Sequence, residues 1–218
     1  MLHDWHIERR EIDRHLARRG SEHAFPEVVA TRTALVVIDL VPFFSRSNPY
    51  AVGIIPNVNR LARALRTAGG VVAWIVPSDT EPNAARRALY GAEIAEMYRR
   101  SGGEGDVLDR LDADLEAHAG DLGFEKDGAS AFFPGACALH EELRRLGVDT
   151  VLIAGTVADV CCASSARDAV ELGYRVVMVA DANAANRDVD LNATLHTIYR
   201  SFGDVRPTDD LVGALGDR

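Results

Sequence analysis

The chain has 218 residues, a formal net charge of -9, a pI near 5.2, and 47% hydrophobic and 26% charged residues. This length suits one α/β domain with a full core. The acidic charge argues against nucleic acid or an anionic membrane as the partner, and it favours a neutral or cationic substrate. No apolar run approaches membrane-spanning length, and the three cysteines, two of them adjacent, form neither a disulfide framework nor a zinc pattern. We therefore expect a cytoplasmic enzyme.

The first 32 residues are predicted to form a helical arm and a connector ahead of the domain at 33–218. The arm, residues 4–19, reads DWHIERREIDRHLARR, and its charged residues suit a solvated face. Its apolar residues are Trp5, Ile7, Ile12 and Leu16. Because the arm cannot bury this apolar side alone, we expect it to pack on the domain or on a neighbouring subunit. This favours a homo-oligomer, a dimer or a tetramer.

In the domain, apolar strands alternate with amphipathic helices. The strands are expected at 34–40, 71–79, from 124, 150–154, 174–182 and 203–205. The helices are expected at 56–68, 84–100, 108–117, 136–146, from the cysteine pair to about 172, 189–202 and after 207. Apolar residues are continuous within the strands, as in a parallel sheet covered on both faces. The pattern predicts a three-layer α/β/α Rossmann-like fold with a mainly parallel sheet of about six strands, and residues 80–120 as a cover over the site.

Cys161 and Cys162 follow a buried strand and a turn at Gly155, where the next helix begins. The unpaired backbone N–H groups of a first helical turn favour a thiolate and can hold a developing oxyanion. The same layout of strand, turn, nucleophile and helix forms the nucleophile elbow of unrelated hydrolases. Alternatively, both cysteines are small buried apolar residues of the core.

Two further charged residues lie at predicted strand ends. Asp39 ends the strand at 34–40, and Lys126 is the single lysine among 24 Lys and Arg residues. The carboxyl ends of parallel strands gather at one edge of a sheet, so both side chains are expected near Cys161. There Asp39 can act as general base, Lys126 can stabilise the two anions, and the sulfur can attack a carbonyl carbon. Taken alone, Asp39 is better explained as a residue of a turn or a helix cap.

Three segments, ALVVIDL, EKDGASAFF and AGTVADVCCASSARDA, resemble the signatures of the isochorismatase-like cysteine hydrolases over about residues 33–212. The resemblance implies that Asp39, Lys126 and Cys161 are catalytic. It also implies a cis peptide between Thr156 and Val157, with the N–H groups of Val157 and Cys161 as the oxyanion hole. The expected reaction is hydrolysis of an amide, ureide or lactam C–N bond through a thioester on Cys161, without a cofactor.

The sequence also departs from this family. Residues 48–80 contain no histidine, so we expect no catalytic metal and no nicotinamidase activity. Phe44 matches the family's pocket aromatic, but its usual polar neighbours are missing. Streptothricin hydrolase is one member that would suit a cationic substrate. Phe132 either walls the pocket or packs in the core, and a metabolite-binding or interaction protein without catalysis is the alternative function.

Overall fold

The computed structural model describes residues 1–216 and contains one parallel sheet. Its strands are β1 Thr33–Ile38, β2 Val71–Pro77, β3 Leu122–Lys126, β4 Thr150–Thr156, β5 Arg175–Ala184 and β6 Asp204–Arg206. They are ordered β3-β2-β1-β4-β5-β6, and every neighbouring pair is parallel. The chain order reverses between β1 and β4, which is where open α/β sheets place their ligands. The predicted fold class is confirmed.

Helices cover both faces of this sheet. They are α1 Arg9–Arg19, α2 Pro42–Ser45, α3 Pro49–Thr67, α4 Ala84–Tyr90, α5 Ala92–Arg99, α6 Leu139–Arg145, α7 Ala163–Glu171, α8 Asp188–Ser201 and α9 Thr208–Gly216. Side chains alternate along β1, so that Val36 and Ile38 face α6, α7 and α8 while Leu35 and Val37 face α3 and α9. The two apolar layers explain why all six residues of β1 are buried.

The N-terminal arm packs on its own domain. Residues 1–8 are not helical, and Asn192 of α8 makes hydrogen bonds to the backbone of two of them. Asn192 Oδ1 accepts from the N–H of His6 at 2.8 Å, and Asn192 Nδ2 donates to the carbonyl of Asp4 at 2.9 Å. Trp5, Ile7 and Ile12 pack against the apolar layer beneath α8.

Three of the predicted helices differ in extent from the helices of the structure. Helix α3 begins at Pro49 rather than at 56, since Asn48 Oδ1 accepts from the Tyr50 N–H and caps it, and Pro56 lies inside the helix. The predicted helix 84–100 is divided into α4 and α5 by Gly91, which has a φ of 78°. Of the weak helix at 108–117, only a 3-10 turn at Val107–Arg110 forms.

Across residues 1–216, no helix combines the length and the apolar character that a membrane crossing requires.

Candidate active site

The carboxyl edge of the sheet brings Asp39, Lys126 and Cys161 together. Lys126 Nζ lies 2.9 Å from Asp39 Oδ2 and 3.7 Å from Cys161 Sγ, and it donates a hydrogen bond to the carbonyl of Gly128 at 2.8 Å. The Lys126 and Asp39 side chains are only 2% and 1% exposed. The two opposite charges form a buried ion pair. An ammonium thus sits between a carboxylate and a sulfur in a site shielded from water.

Asp39 is placed by the close approach of β1 and β4. It has a φ of 55°, unusual for a residue with a side chain, and its N–H donates to the carbonyl of Ile75 at 2.9 Å. Gly155 lies opposite Ile38, the residue before Asp39. It has a φ of 120°, and a Cβ there would come within 2.1 Å of the Ile38 carbonyl oxygen. Only glycine allows this approach.

The segment between β4 and α7 carries the two cysteines. The strand continues through Gly155 to Thr156, so the predicted turn at Gly155 is wrong, and the expected cis peptide is present between Thr156 and Val157. A π-helical turn, Ala158–Cys162, follows, in which the N–H of Cys162 donates to the carbonyl of Val157 at 3.3 Å. π-turns of this kind often occur at functional sites.

The two cysteines of this turn have different surroundings. Cys161 is partly exposed and lines a cavity with Asp39 and Lys126. Cys162 is 0% exposed and packs in the core, with its sulfur 4.0 Å from the Ala154 carbonyl oxygen. The geometry therefore gives Cys161, and not Cys162, access to a substrate.

Burial is the main cause that raises the pKa of the Cys161 thiol. Together with the Asp39 charge it raises the pKa to about 12, while Lys126 and the Val157 backbone act to lower it. Burial also raises the pKa of Asp39, although Lys126 opposes it. The expectation that a helix start would lower the Cys161 pKa is therefore wrong. Burial and the adjacent carboxylate outweigh the helical N–H groups.

Lys126 keeps its charge in this setting. Burial acts to lower its pKa, but the charges of Asp39 and Cys161 raise it above its ordinary value overall. At neutral pH the resting site thus holds an ammonium and a neutral thiol, with the Lys126 charge favouring an Asp39 carboxylate. The thiol must pass its proton on before it can act as a nucleophile.

The cavity above the three residues has a volume of about 350 Å³. Its floor comes from the sheet edge and from Val157 and Val160 of the elbow. Its cover comes from α4 and α5 through Arg86, Tyr90, Ala95, Tyr98 and Arg99. Phe44 also lines it. Aromatic rings form part of its apolar wall. Among them, Tyr90 and Tyr98 make an edge contact with their ring centroids 5.4 Å apart.

Phe132 does not reach this cavity. It is 1% exposed and packs on Tyr174 with ring centroids 5.4 Å apart, so its assignment as a pocket wall is corrected. Ser130 Oγ accepts from the N–H groups of both Phe132 and Phe133 at 3.1 Å. This turn places Phe132 in the core and leaves Phe133 exposed.

The sequence did not predict the charged cavity residues Arg86, Arg99 and Asp127. Arg86 Nη1 donates to Asp127 Oδ1 at 2.6 Å, and both side chains line the cavity. Arg86 Nη2 lies over Gly128, where a Cβ would come within 2.7 Å of it. The one available signal was the position of Arg86 in a helix expected to cover the site.

Within residues 1–216, no three His, Cys, Asp or Glu side chains are grouped so that they could hold a metal ion.

Comparison with known proteins gives the family. The model of the isochorismatase domain matches residues 33–210. The chain belongs to the isochorismatase family. With this membership the protein is an enzyme, because the family is hydrolytic.

Individual relatives refine this picture. A ureidoacrylate amidohydrolase of Variovorax paradoxus is 27% identical and aligns with 84% of this chain and 81% of its own length. A maleamate amidohydrolase of Pseudomonas putida is 28% identical, with 84% and 87% covered. The crystal structure of a cysteine hydrolase from Pseudomonas syringae pv. phaseolicola is 26% identical, with a TM-score of 0.75 and 88% and 96% of the two chains covered. Two of these proteins are thus hydrolases of carbon–nitrogen bonds.

Proposed function

We propose that the protein is a cysteine-dependent hydrolase of a C–N bond in a small amide or ureide. One observation carries the proposal: the Lys126 ammonium lies within 2.9 Å of the Asp39 carboxylate and 3.7 Å of the Cys161 sulfur. Burying charged groups costs free energy unless they are fully paired, so such groups often mark a functional site. Here the three groups open onto one cavity. The named amidohydrolases among the relatives support the same reaction class.

The resting protonation state sets the first step. Asp39 takes the thiol proton of Cys161 as the sulfur attacks the carbonyl carbon, which forms the C–S bond and moves the carbonyl π electrons onto oxygen. The N–H groups of Val157 and Cys161 hold this oxyanion. Lys126 stabilises the thiolate while it forms. As the C–N bond breaks, the protonated Asp39 returns its proton to the leaving nitrogen, which leaves a thioester on Cys161.

Water completes the reaction at the same residues. Asp39, again a carboxylate, takes a proton from water, and the hydroxide attacks the thioester carbon. The C–S bond breaks, and the sulfur leaves with the proton held by Asp39, so that the thiol is restored. Each turnover consumes one water and gives an acid and an amine or ammonia.

The cavity supports a substrate that also carries a carboxylate. Ureidoacrylate and maleamate, the compounds named for two relatives, each combine a C–N group with a carboxylate. Arg86 lines the cavity and uses one nitrogen for Asp127, so its planar fork can present further donors to a second carboxylate. The positive charges of Arg86 and Lys126 at the cavity therefore favour an anionic substrate, although the net charge of the chain is negative.

The test is a panel of amides and ureides, each offered with and without a carboxylate, and each assayed for ammonia or amine release. Quenched reactions are digested and mass-mapped for an acyl group on Cys161, with Cys161→Ala as the control. Release together with acylation at Cys161 would support the proposal. Saturable binding of panel compounds without any release would instead favour the metabolite-binding alternative.

Other expectations from the sequence stay predictions. The arm is expected to pack on the domain or on a neighbouring subunit, and Trp5, Ile7 and Ile12 pack on the arm's own domain. A dimer or tetramer thus needs direct measurement by light scattering. Lactam substrates such as streptothricin belong in the same panel. A cytoplasmic location agrees with the three free cysteines.

A further inference from the structure

His3 of the N-terminal arm is buried beside the last residues of β5. Its ring stacks on Tyr50, with centroids 3.6 Å apart and planes 8° from parallel. Its Nδ1 lies 2.6 Å from Asp188 Oδ1, and the N–H of Ala185 points to its Nε2 at 3.1 Å. An N–H donor facing Nε2 requires that nitrogen to be the acceptor. The ring N–H at Nδ1 is therefore the one donated to Asp188.

Ala185 is held on both sides of its backbone. His3 accepts from its N–H, and Asn48 Nδ2 donates to its carbonyl at 3.0 Å. Asn48 is itself fixed as the cap of α3, where its Oδ1 accepts from the Tyr50 N–H. The residue directly after β5 thus depends on two side chains outside the sheet, one of them from the arm.

The end of β5 lies against the elbow that carries the nucleophile. Ala184 is the register partner of Thr156 at the end of β4, and Thr156 Oγ1 donates to the Ala184 carbonyl at 3.2 Å. The next residue, Val157, lines the cavity together with Cys161, and its N–H is one of the two proposed oxyanion donors. A displacement of Ala185 would move Ala184 and Thr156 and so alter the direction of this N–H.

We propose that His3 is a positioning residue for the active site. By holding Ala185, it fixes the end of β5 so that the Val157 N–H stays aimed at the oxyanion. His3 does not line the cavity, and its effect passes through the backbone of β5 and β4. The inference rests on the proposed cysteine mechanism.

The arm offers a matched control in its second buried histidine. His15 Nε2 lies 3.0 Å from the carbonyl oxygen of Tyr199. Tyr199 lies in the last turn of α8, whereas Asp188, the partner of His3, is its first residue. Replacing either histidine weakens the packing of the arm on α8, but only His3 also contacts the strand end beside the elbow.

The experiment compares His3→Ala, His3→Asn, His3→Gln and His15→Ala. An asparagine can place a donor near the Nδ1 position and loses the acceptor for Ala185, whereas a glutamine can place an acceptor near Nε2. The measurements are the melting temperature, kcat and KM, and the rate at which iodoacetamide alkylates Cys161, followed by peptide mapping. The asparagine and glutamine variants decide the result if His3→Ala does not fold.

We expect His3→Ala and His3→Asn to lower kcat about 10-fold with little change in KM, because misdirected donors weaken the transition state more than binding. The same variants should alkylate at Cys161 about threefold more slowly, since a displaced Thr156 and Val157 shift the turn that presents the sulfur to Asp39 and Lys126. His3→Gln should recover most of both rates. His15→Ala should lower only the melting temperature.

Equal kcat and alkylation rates in the His3 and His15 variants, at similar losses of melting temperature, would overturn the proposal. So would a His3→Asn enzyme that behaves as His3→Gln does. Alkylation needs no substrate, so it tests the positioning role even if the wild-type enzyme hydrolyses nothing in the panel. That last result would contradict the proposed function alone.

Discussion

The sheet edge and the cover over it both contain ion pairs, but these pairs differ in how far they are exposed to solvent. At the edge, Lys126 and Asp39 form a pair that is almost wholly buried. In the cover, Arg87 pairs with Glu81, and Arg100 pairs with Glu96, all with side chains at least one-third exposed. Exposed pairs contribute little because water and salt screen them, whereas a buried charge is felt strongly by its neighbours.

The sheet edge and the cover are therefore expected to have different roles. The sheet fixes Asp39, Lys126 and Cys161 where their protonation states depend on one another. The cover contributes Arg86 and Tyr98 to the far side of the cavity on short helices. We therefore expect substitutions at the edge to remove the chemistry and substitutions in the cover to change which substrate is accepted.

The largest effect should come from Cys161→Ala, which removes the nucleophile. We expect kcat/KM to fall by at least about 10⁴-fold, the scale of losing a nucleophile in other hydrolases. Cys162→Ala removes a sulfur that packs in the core, and it should lower stability while most activity remains. The measurement is kcat/KM with the melting temperature for both variants. An active Cys161→Ala beside an inactive Cys162→Ala would reverse the assignment.

The next effect is expected for Lys126→Arg. A guanidinium keeps the charge but is planar and larger, so it cannot occupy the space between Asp39 and Cys161 without displacing one of them. We expect a loss of about 10²-fold in kcat/KM with the fold intact. Arg87→Lys is the reverse exchange in an exposed pair of the cover and should leave the rate within about twofold. Equal, small effects of the two exchanges would contradict the division between edge and cover.

The pH dependence tests the edge without mutation. Activity needs the Asp39 carboxylate, so it should be lost as pH falls through an Asp39 pKa that lies above the ordinary value of 3.8. On the alkaline side the Cys161 pKa is about 12 and that of Lys126 is raised. No loss is therefore expected between about pH 7 and 9.

Alkylation of Cys161 should accordingly be slow at pH 7 and still rise above pH 9, because the thiol keeps its proton. Its rate is measured from pH 6 to 10 by mapping the labelled peptide. A rate that levels off near neutral pH would show a low thiol pKa. It would contradict the dominance of burial and of the Asp39 charge at this site.

The sequence was sufficient for the sheet and for the place of the triad, and the reason is physical. A strand such as β1 is apolar throughout because both of its faces are buried. Parallel strands then bring their carboxyl ends to one edge, so Asp39, Lys126 and Cys161 were expected to meet, and they do.

What the sequence could not supply depends on burial and on distant contacts. The pKa of Cys161 is raised because Asp39, more than a hundred residues away, is buried with it. The pairing of Arg86 with Asp127 joins a cover helix to the loop after β3, and no local pattern marks it. The sequence did not predict the break between α4 and α5 at Gly91, because isolated glycines also occur inside helices. The break depends on the positive φ of Gly91, which is seen only in the structure.

A smaller effect is expected in the cover for Arg86→Met, which keeps the length of the side chain and removes the charge. KM for a substrate with a carboxylate should rise about 10-fold, and kcat should change little, because one ionic contact is lost without touching the reacting atoms. The uncharged analogue should be processed as before. Arg100→Met, in an exposed pair that does not line the cavity, is the control and should alter neither substrate. Equal changes for both analogues would argue against a carboxylate contact.

The smallest change in activity is expected for Phe44, which the sequence assigned to the substrate pocket together with Phe132. Phe44 lines the cavity, so Phe44→Leu should change KM by at most about 10-fold, the low end of the scale for a small change in an apolar pocket. Phe132 lies in the core on Tyr174. Phe132→Ala should therefore destabilise the protein by about 3 kcal/mol through the cavity it leaves. Denaturant unfolding and kinetics at a temperature where both variants are folded distinguish these roles. A Phe132→Ala enzyme with full stability and a changed KM would return Phe132 to the pocket wall.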